Sequence, residues 1–168
     1  MGFNYISLVF VAPAVMALLV GVMAWRRRSV GSEALLAVFM LSTVFWTLGY
    51  ALELSSSRQA LLEFWGMVQY VGIATAPTFF FLLMIHYAGL DVWLTKRVLV
   101  AVWVFPVLTL VLRITNSFHG LVHRSTEVVS ISSFVYQVHK QGPWFWLVIG
   151  YSYLMLWGGV LILIYFRS

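Results

Sequence analysis

The sequence has no cysteine, which excludes disulfides, thiolate nucleophiles and thiolate metal sites and leaves no sign of redox compartment. Charge is almost as scarce: five Asp and Glu and ten Lys and Arg make up 9% of 168 residues. A soluble domain carries about 25% charged residues, so this supply cannot coat a water-facing surface. No HExxH, GxSxG, Walker-type glycine loop or GxGxxG occurs, which leaves hydrolase, nucleotide and dinucleotide chemistry without support. Retinal attachment needs a lysine deep in an apolar run, whereas Lys96 and Lys140 sit in or beside loops. His86 and His119 belong to opposite membrane faces, so paired haem ligation is not available. His119, His123 and His139 match no standard ligand spacing, and no metal or cofactor is expected. No charge interrupts the middle of an apolar run to mark an ion path.

What the chain has is apolar length. Hydrophobic residues reach 62%, gathered in runs at Phe3 to Trp25, Ala34 to Leu54, Leu61 to Ala88, Val98 to Ile114 and Trp144 to Phe166. A helix crosses the hydrocarbon core with about 17–25 such residues. The runs are continuous, without the strict alternation of a membrane barrel strand. The first has no positive charge before it and Arg26, Arg27 and Arg28 directly after it, so it reads as a retained helix and not as a cleaved signal peptide. The expected fold is all-α: a polytopic membrane helix bundle with five transmembrane helices at about 3–25, 34–54, 58–88, 97–114 and 143–166, a single membrane-embedded domain over 1–168.

Basic residues set the expected orientation. Arg26 to Arg28 and the Lys96-Arg97 pair are tight clusters in short loops, where the positive-inside rule acts most strongly. They place the N-terminus outside and the C-terminus in the cytoplasm of a multi-pass cell-membrane protein, with Arg58, Arg113, Arg124 and Lys140 outside. The excess positive charge then faces anionic inner-leaflet lipid, so the bilayer is the expected partner and no nucleic acid is required. Ser32 before Glu33 reads as an N-cap of the second helix, and Ser56 with Gln59 has capping-box spacing for the third. Ala17 with Gly21, and Gly72 with Ala76, have the four-residue spacing of close helix contacts. Pro77 and Pro106 fall inside helices and are hinge candidates. The extracellular loop 115–142 carries Val129, Ile131, Phe134, Tyr136 and Val138, an alternating β-branched and aromatic pattern that predicts a short β-hairpin. Gly142-Pro143 then opens the fifth helix.

Candidate site residues cluster toward the outer end. Trp46, Tyr50 and Glu53 fall at i, i+4 and i+7 and share one face of the second helix. There Glu53 supplies a counter-charge, Tyr50 a phenol and Trp46 a flat apolar floor, although an interfacial carboxylate with aromatic-belt neighbours has the same pattern. Trp46 lies about 10 Å deeper than Glu53 at 1.5 Å per residue. Arg113, Asn116 and His119 share that side with Glu53 and Glu63, which makes an acid, base and imidazole cluster possible. Gln69, Tyr70 and Tyr153 are polar groups in or near the apolar zone, suited either to interhelical hydrogen bonds or to a ligand cavity between the second, third and fifth helices.

Phe45-Trp46-Thr47-Leu48-Gly49-Tyr50-Ala51-Leu52-Glu53, Tyr70-Val71-Gly72 followed by Pro77, and His86-Tyr87-Ala88-Gly89 stand in order along the chain. Pro106, Thr115-Asn116-Ser117-Phe118-His119 with Leu121, and Gly142-Pro143-Trp144-Phe145 with Tyr151 and Tyr153 follow. From about Trp25 to Gly158 this ordered set resembles the N-terminal seven-transmembrane sensor region of bacterial and archaeal histidine kinases. The resemblance implies a sensory input domain of a two-component system, in a prokaryotic plasma membrane, that perceives an extracellular or membrane-borne cue. It implies no catalytic residue in this chain, since the histidine kinase domains that accompany such regions have no room in 168 residues of membrane spans. It marks Glu53, Pro77, Asn116 and His119 as signature positions, and implies a homodimer through the parent kinase and a small-molecule or lipid-like ligand. Such regions have two more helices, so a truncated chain is expected. A small transporter or accessory membrane subunit, using Gln69, Tyr70 and Tyr153 as a permeation or packing surface, is the alternative from the residues alone.

Overall fold

A computed structural model describes residues 5–28, 31–131 and 134–167. Five helices in it are long and apolar enough to cross a membrane: α1 (Tyr5–Arg26), α2 (Gly31–Leu54), α3 (Gln59–Tyr87), α4 (Lys96–Ile114) and α6 (Pro143–Arg167). A single helical turn, α5 (Asn116–His119), and two strands, β1 (His123–Ile131) and β2 (Phe134–Gln141), lie between α4 and α6. The expected start of the first helix at Phe3 lies outside the described residues.

α3 is the hub, packing against α2, α4 and α6, while α1 packs on the far side of α2. Small residues set how closely these helices meet. A Cβ on Gly72 would sit 2.3 Å from the Ser42 carbonyl oxygen, and one on Gly49 would sit 2.9 Å from Gln69 N, so α2 and α3 touch backbone to backbone. Gly21 faces Met40 and Ala37 in the same manner between α1 and α2. Hydroxyl pairs reinforce these seams: Ser55 Oγ to Ser7 Oγ at 2.9 Å, and Thr75 Oγ1 to Ser42 Oγ at 3.0 Å. In lipid, where apolar packing gains nothing from water release, close backbone approach and such hydrogen bonds hold helices together.

Both expected caps are corrected. Ser32 lies inside α2, which already begins at Gly31. Ser56 turns back to donate to the Leu52 carbonyl at 2.6 Å, finishing α2, and α3 starts after Arg58 with no side-chain cap. The hydroxyl satisfied an orphan carbonyl at one helix end in preference to an orphan amide at the next.

Helix runs unbroken through Pro77 of α3 and Pro106 of α4, both of which are buried. Pro106 has no N–H for the carbonyl four residues earlier, that of Val102. Tyr151 of α6 supplies the donor instead, its hydroxyl reaching Val102 O at 2.9 Å. Thr78, next to Pro77, lies 2.9 Å from the same phenol oxygen. With the single phenol proton spent on Val102, Thr78 is the donor of that second bond. Phe105 stacks on Tyr151 at 4.3 Å and on Trp144 at 5.1 Å, and Trp144 Nε1 donates to Thr109 Oγ1 at 3.1 Å. One face of α6 is thereby locked to α4.

The expected hairpin forms as a two-stranded antiparallel sheet with His123 opposite Gln141 and Thr126 opposite His139. A bulge between His123 and Ser125 adds one residue to β1. In a regular strand positions three apart face opposite ways, and the extra residue is what lets His123 and Thr126 both meet His139. At its neck the chain crosses itself: Gly142 N donates to Val122 O at 2.8 Å and Trp144 N to Leu121 O at 3.0 Å. A Cβ at Gly142 would lie 2.0 Å from Leu121 O, so only glycine fits.

Candidate functional site

Between α2, α3 and α6, under the hairpin, is a cavity of about 700 Å³. That lies within the roughly 300–1,000 Å³ range of small-molecule sites. Trp46, Tyr50, Glu53, Tyr70 and Tyr153 of the residues picked out by sequence all line it. Glu53 and Tyr70 are buried, whereas Trp46, Tyr50 and Tyr153 also reach the surface of the five helices.

The polar groups collect at the hairpin end. Glu53 accepts a hydrogen bond from Gln69 Nε2. Arg113, in the last turn of α4, holds its guanidinium 5.2 Å from the centre of the Tyr70 ring. Gly66 opens the space between them: a Cβ there would lie 3.5 Å from Arg113 Nη2 and 3.9 Å from Glu53 Oε2. The two opposite charges thus flank one small volume without forming an ion pair within 4.0 Å among the described residues. Arg113 Nε is buried and unpartnered, as are His123 Nδ1 and Gln141 Oε1, and all three residues line this cavity. A buried polar atom without a partner costs about 1–3 kcal/mol, and these three leave bonding capacity unspent around one cavity.

The hairpin roofs the polar end with rings. His123 meets the edge of Tyr70 at 5.7 Å and stacks on His139 at 4.2 Å. Burial pulls the His123 pKa from 6.5 to about 4, helped by His139 and Arg113 and opposed by the Gln141 side chain. His139 is lowered by burial first and Arg113 second. Both rings are therefore neutral near pH 7, leaving Arg113 and Glu53 as the charges facing the cavity.

Asn116 and His119 lie elsewhere. They border a shallow exposed depression with Ser117, Phe118 and Arg124, and their polar atoms are spent on the chain itself. Asn116 Oδ1 accepts from Val122 N at 2.9 Å and His123 N at 3.1 Å, while its Nδ2 donates to His123 O at 2.8 Å. The side chain imitates a neighbouring strand and fixes where β1 begins, so it positions His123 over the cavity. His119 Nδ1 accepts from Leu121 N at 3.0 Å, and its Nε2 lies 3.1 Å from Thr115 Oγ1, which closes the αL turn at Gly120. The imidazoles that do face the cavity, His123 and His139, come from opposite strands and meet through a bulge, which no spacing rule shows. Arg113 was visible as a charge at a helix end, but its lack of an ion pair was not. No group of three or more His, Cys, Asp or Glu among the described residues could hold a metal ion.

The family model for the N-terminal 7TM region of histidine kinase matches residues 9–168. The chain belongs to this family. Membership makes it a membrane sensory region of the histidine kinase type, and the apolar helices are its multi-pass membrane spans. Neither a curated protein nor a solved structure matches the chain.

Proposed function

We propose that the chain is the input domain of a two-component sensor and that the cavity beneath the hairpin is where it perceives an extracellular or membrane-borne cue. The observation that carries this is the polar end of the cavity, where Glu53, Arg113, Gln69 and Tyr70 meet with bonding capacity unspent. The hairpin faces outside and the Arg26–Arg28 and Lys96-Arg97 end faces the cytoplasm, on the positive-inside argument. Phosphoryl transfer belongs to kinase domains outside this chain, and dimerisation to the parent kinase.

α6 is suited to carry the signal. Phe145, Val148, Ile149, Ser152 and Leu156 form its cavity face, at helical spacing. Trp144 and Tyr151 hold the other face to α4. Further along, Gly158 and Gly159 seat the helix against Phe81, Met84 and Phe80 of α3. An occupant that binds better when α2 and α6 are nearer or farther apart shifts the equilibrium between those arrangements by its differential affinity and no more.

The test is autophosphorylation of the intact kinase in membranes of defined composition. Glu53→Gln and Tyr70→Phe are expected to change the basal or cue-dependent rate several-fold, whereas Gly120→Asn, confined to the αL turn, leaves it unchanged. Normal responses in both cavity variants would remove the cavity from sensing. Solute flux through liposomes carrying the chain alone would favour a transporter instead.

A further inference from the structure

The cavity has two chemically different ends, and α2 and α6 both flank α3 while making little contact with each other. At the hairpin end, Arg113 is the group with most bonding capacity to spare. A guanidinium has five N–H donors and no acceptor, yet among the described residues no ion pair reaches it and its buried Nε has no partner. Glu53, the nearest carboxylate lining the cavity, is engaged by Gln69 and stands across the Gly66 gap, near enough to offset the positive charge and too far to saturate it. The planar fork of an arginine matches the two oxygens of a carboxylate or phosphate. Away from this end the lining becomes Trp46, Ile73, Val148, Ile149 and Leu156. Trp46, Tyr50 and Tyr153 are exposed at the cavity's rim, so the apolar arm runs out to the surface of the five helices.

We propose that the site takes an anionic amphiphile, its carboxylate or phosphate head on the Arg113 guanidinium and its apolar chain between α2 and α6. This rests on the reading of the cavity as the sensory site, and it names the chemical class of the cue. Tyr70, fixed below the guanidinium by the ring contacts, leaves its charged edge free for the head. Tyr50 and Tyr153 offer hydroxyls where the head passes into the chain. A neutral alcohol of the same length would offer Arg113 one uncharged acceptor in place of a charged pair of oxygens, and a cationic amphiphile would be repelled by it.

The test uses the protein in phosphatidylcholine nanodiscs with a diazirine-bearing hexadecanoate as photoprobe. Hexadecanoate and hexadecyl phosphate are expected to compete for saturable labelling on the cavity faces of α2 and α6. Hexadecanol should compete about tenfold or more weakly, the worth of one charge-assisted hydrogen bond. Acetate and inorganic phosphate should not compete. Arg113→Gln should weaken labelling about tenfold, with Arg113→Lys between it and the native chain. If Arg113→Gln does not fold, Ile149→Trp, which fills the apolar arm and leaves the head site, is expected to abolish the same labelling. Equal competition by hexadecanol, labelling unchanged in Arg113→Gln or Ile149→Trp, or labelling confined to the outer faces of α1 and α4 would each overturn the proposal. Competition by acetate or phosphate alone would make this a site for small anions and overturn it too. Because this assay reads binding only, saturable labelling with unaltered kinase response sinks the sensory role and spares the ligand class. Altered response without labelling does the reverse.

Discussion

Replacing Tyr151 by Phe removes one oxygen from the joint of three helices, and its cost depends on a residue in another helix. The phenol donates to the Val102 carbonyl that Pro106 leaves without its helical partner, and it accepts from Thr78. Interhelical hydrogen bonds in membranes average about 0.6 kcal/mol and reach about 1.7. The loss of two, one of them to a carbonyl with no alternative donor, predicts a destabilisation of about 1–3 kcal/mol for Tyr151→Phe. In a Pro106→Ala background the new amide can serve Val102 within α4. The same Tyr151→Phe change should then cost about half as much, giving a coupling of about 0.6–1.5 kcal/mol in the double-mutant cycle. Reversible unfolding of the four proteins in mixed dodecyl sulfate and neutral detergent micelles, followed by tryptophan fluorescence, measures each term. Equal cost in the two backgrounds would refute the idea that Tyr151 stands in for the missing amide. No cost in either would remove the phenol from the account of how α4 and α6 are joined.

The other expectations concern the seams, the roof and its protonation. Gly72→Ala places a Cβ 2.3 Å from the Ser42 carbonyl and must push α2 from α3, so the same unfolding assay should show a loss of about 1–3 kcal/mol. Asn116→Ala removes three hydrogen bonds to the start of β1, and hydrogen exchange at the Val122 and His123 amides should accelerate. Asn116→Asp, which keeps both acceptor contacts, should protect those amides better. His123 has its pKa lowered to about 4 in the folded chain, so the unfolded chain binds more protons between that value and 6.5. Stability is therefore full above pH 6.5 and falls as pH drops toward 4, with His139 adding in the same sense. His123→Gln should flatten this slope, and an unaltered slope would locate it elsewhere.

The five spans were legible because lipid demands long apolar helices, and a run such as Trp144 to Phe166 has no soluble reading. The hairpin was legible from alternation at Val129 to Val138. Helix starts were read less well, since Ser32 and Ser56 had more than one orphan backbone group to serve and the choice depended on the neighbouring turn. In the site, Trp46, Tyr50 and Glu53 share a face by arithmetic, and Tyr70 and Tyr153 join them because polar groups in lipid seek company. Asn116 and His119 have the residue types of a sensor but the position of a turn, and the adjacent backbone used their polar atoms. Tyr151 escaped notice as a partner because the vacancy it fills is on a different helix from the proline that makes it.

The self-crossing at Gly142 bears on how far a small movement can travel. Two backbone bonds and a glycine that admits no side chain join the start of α6 to the segment just beyond α4, so those two ends cannot separate. With Tyr151 also bonded to Val102, α6 and α4 are joined from this neck through the first two turns of α6. Any splaying between them would open at the far end, like the blades of scissors beyond a rivet. With a rise of 1.5 Å per residue, each degree of tilt carries the far end of the 25-residue α6 about 0.7 Å. On the proposed reading, a shift of a fraction of an ångström beside the cavity would reach the far end of α6 enlarged by leverage alone.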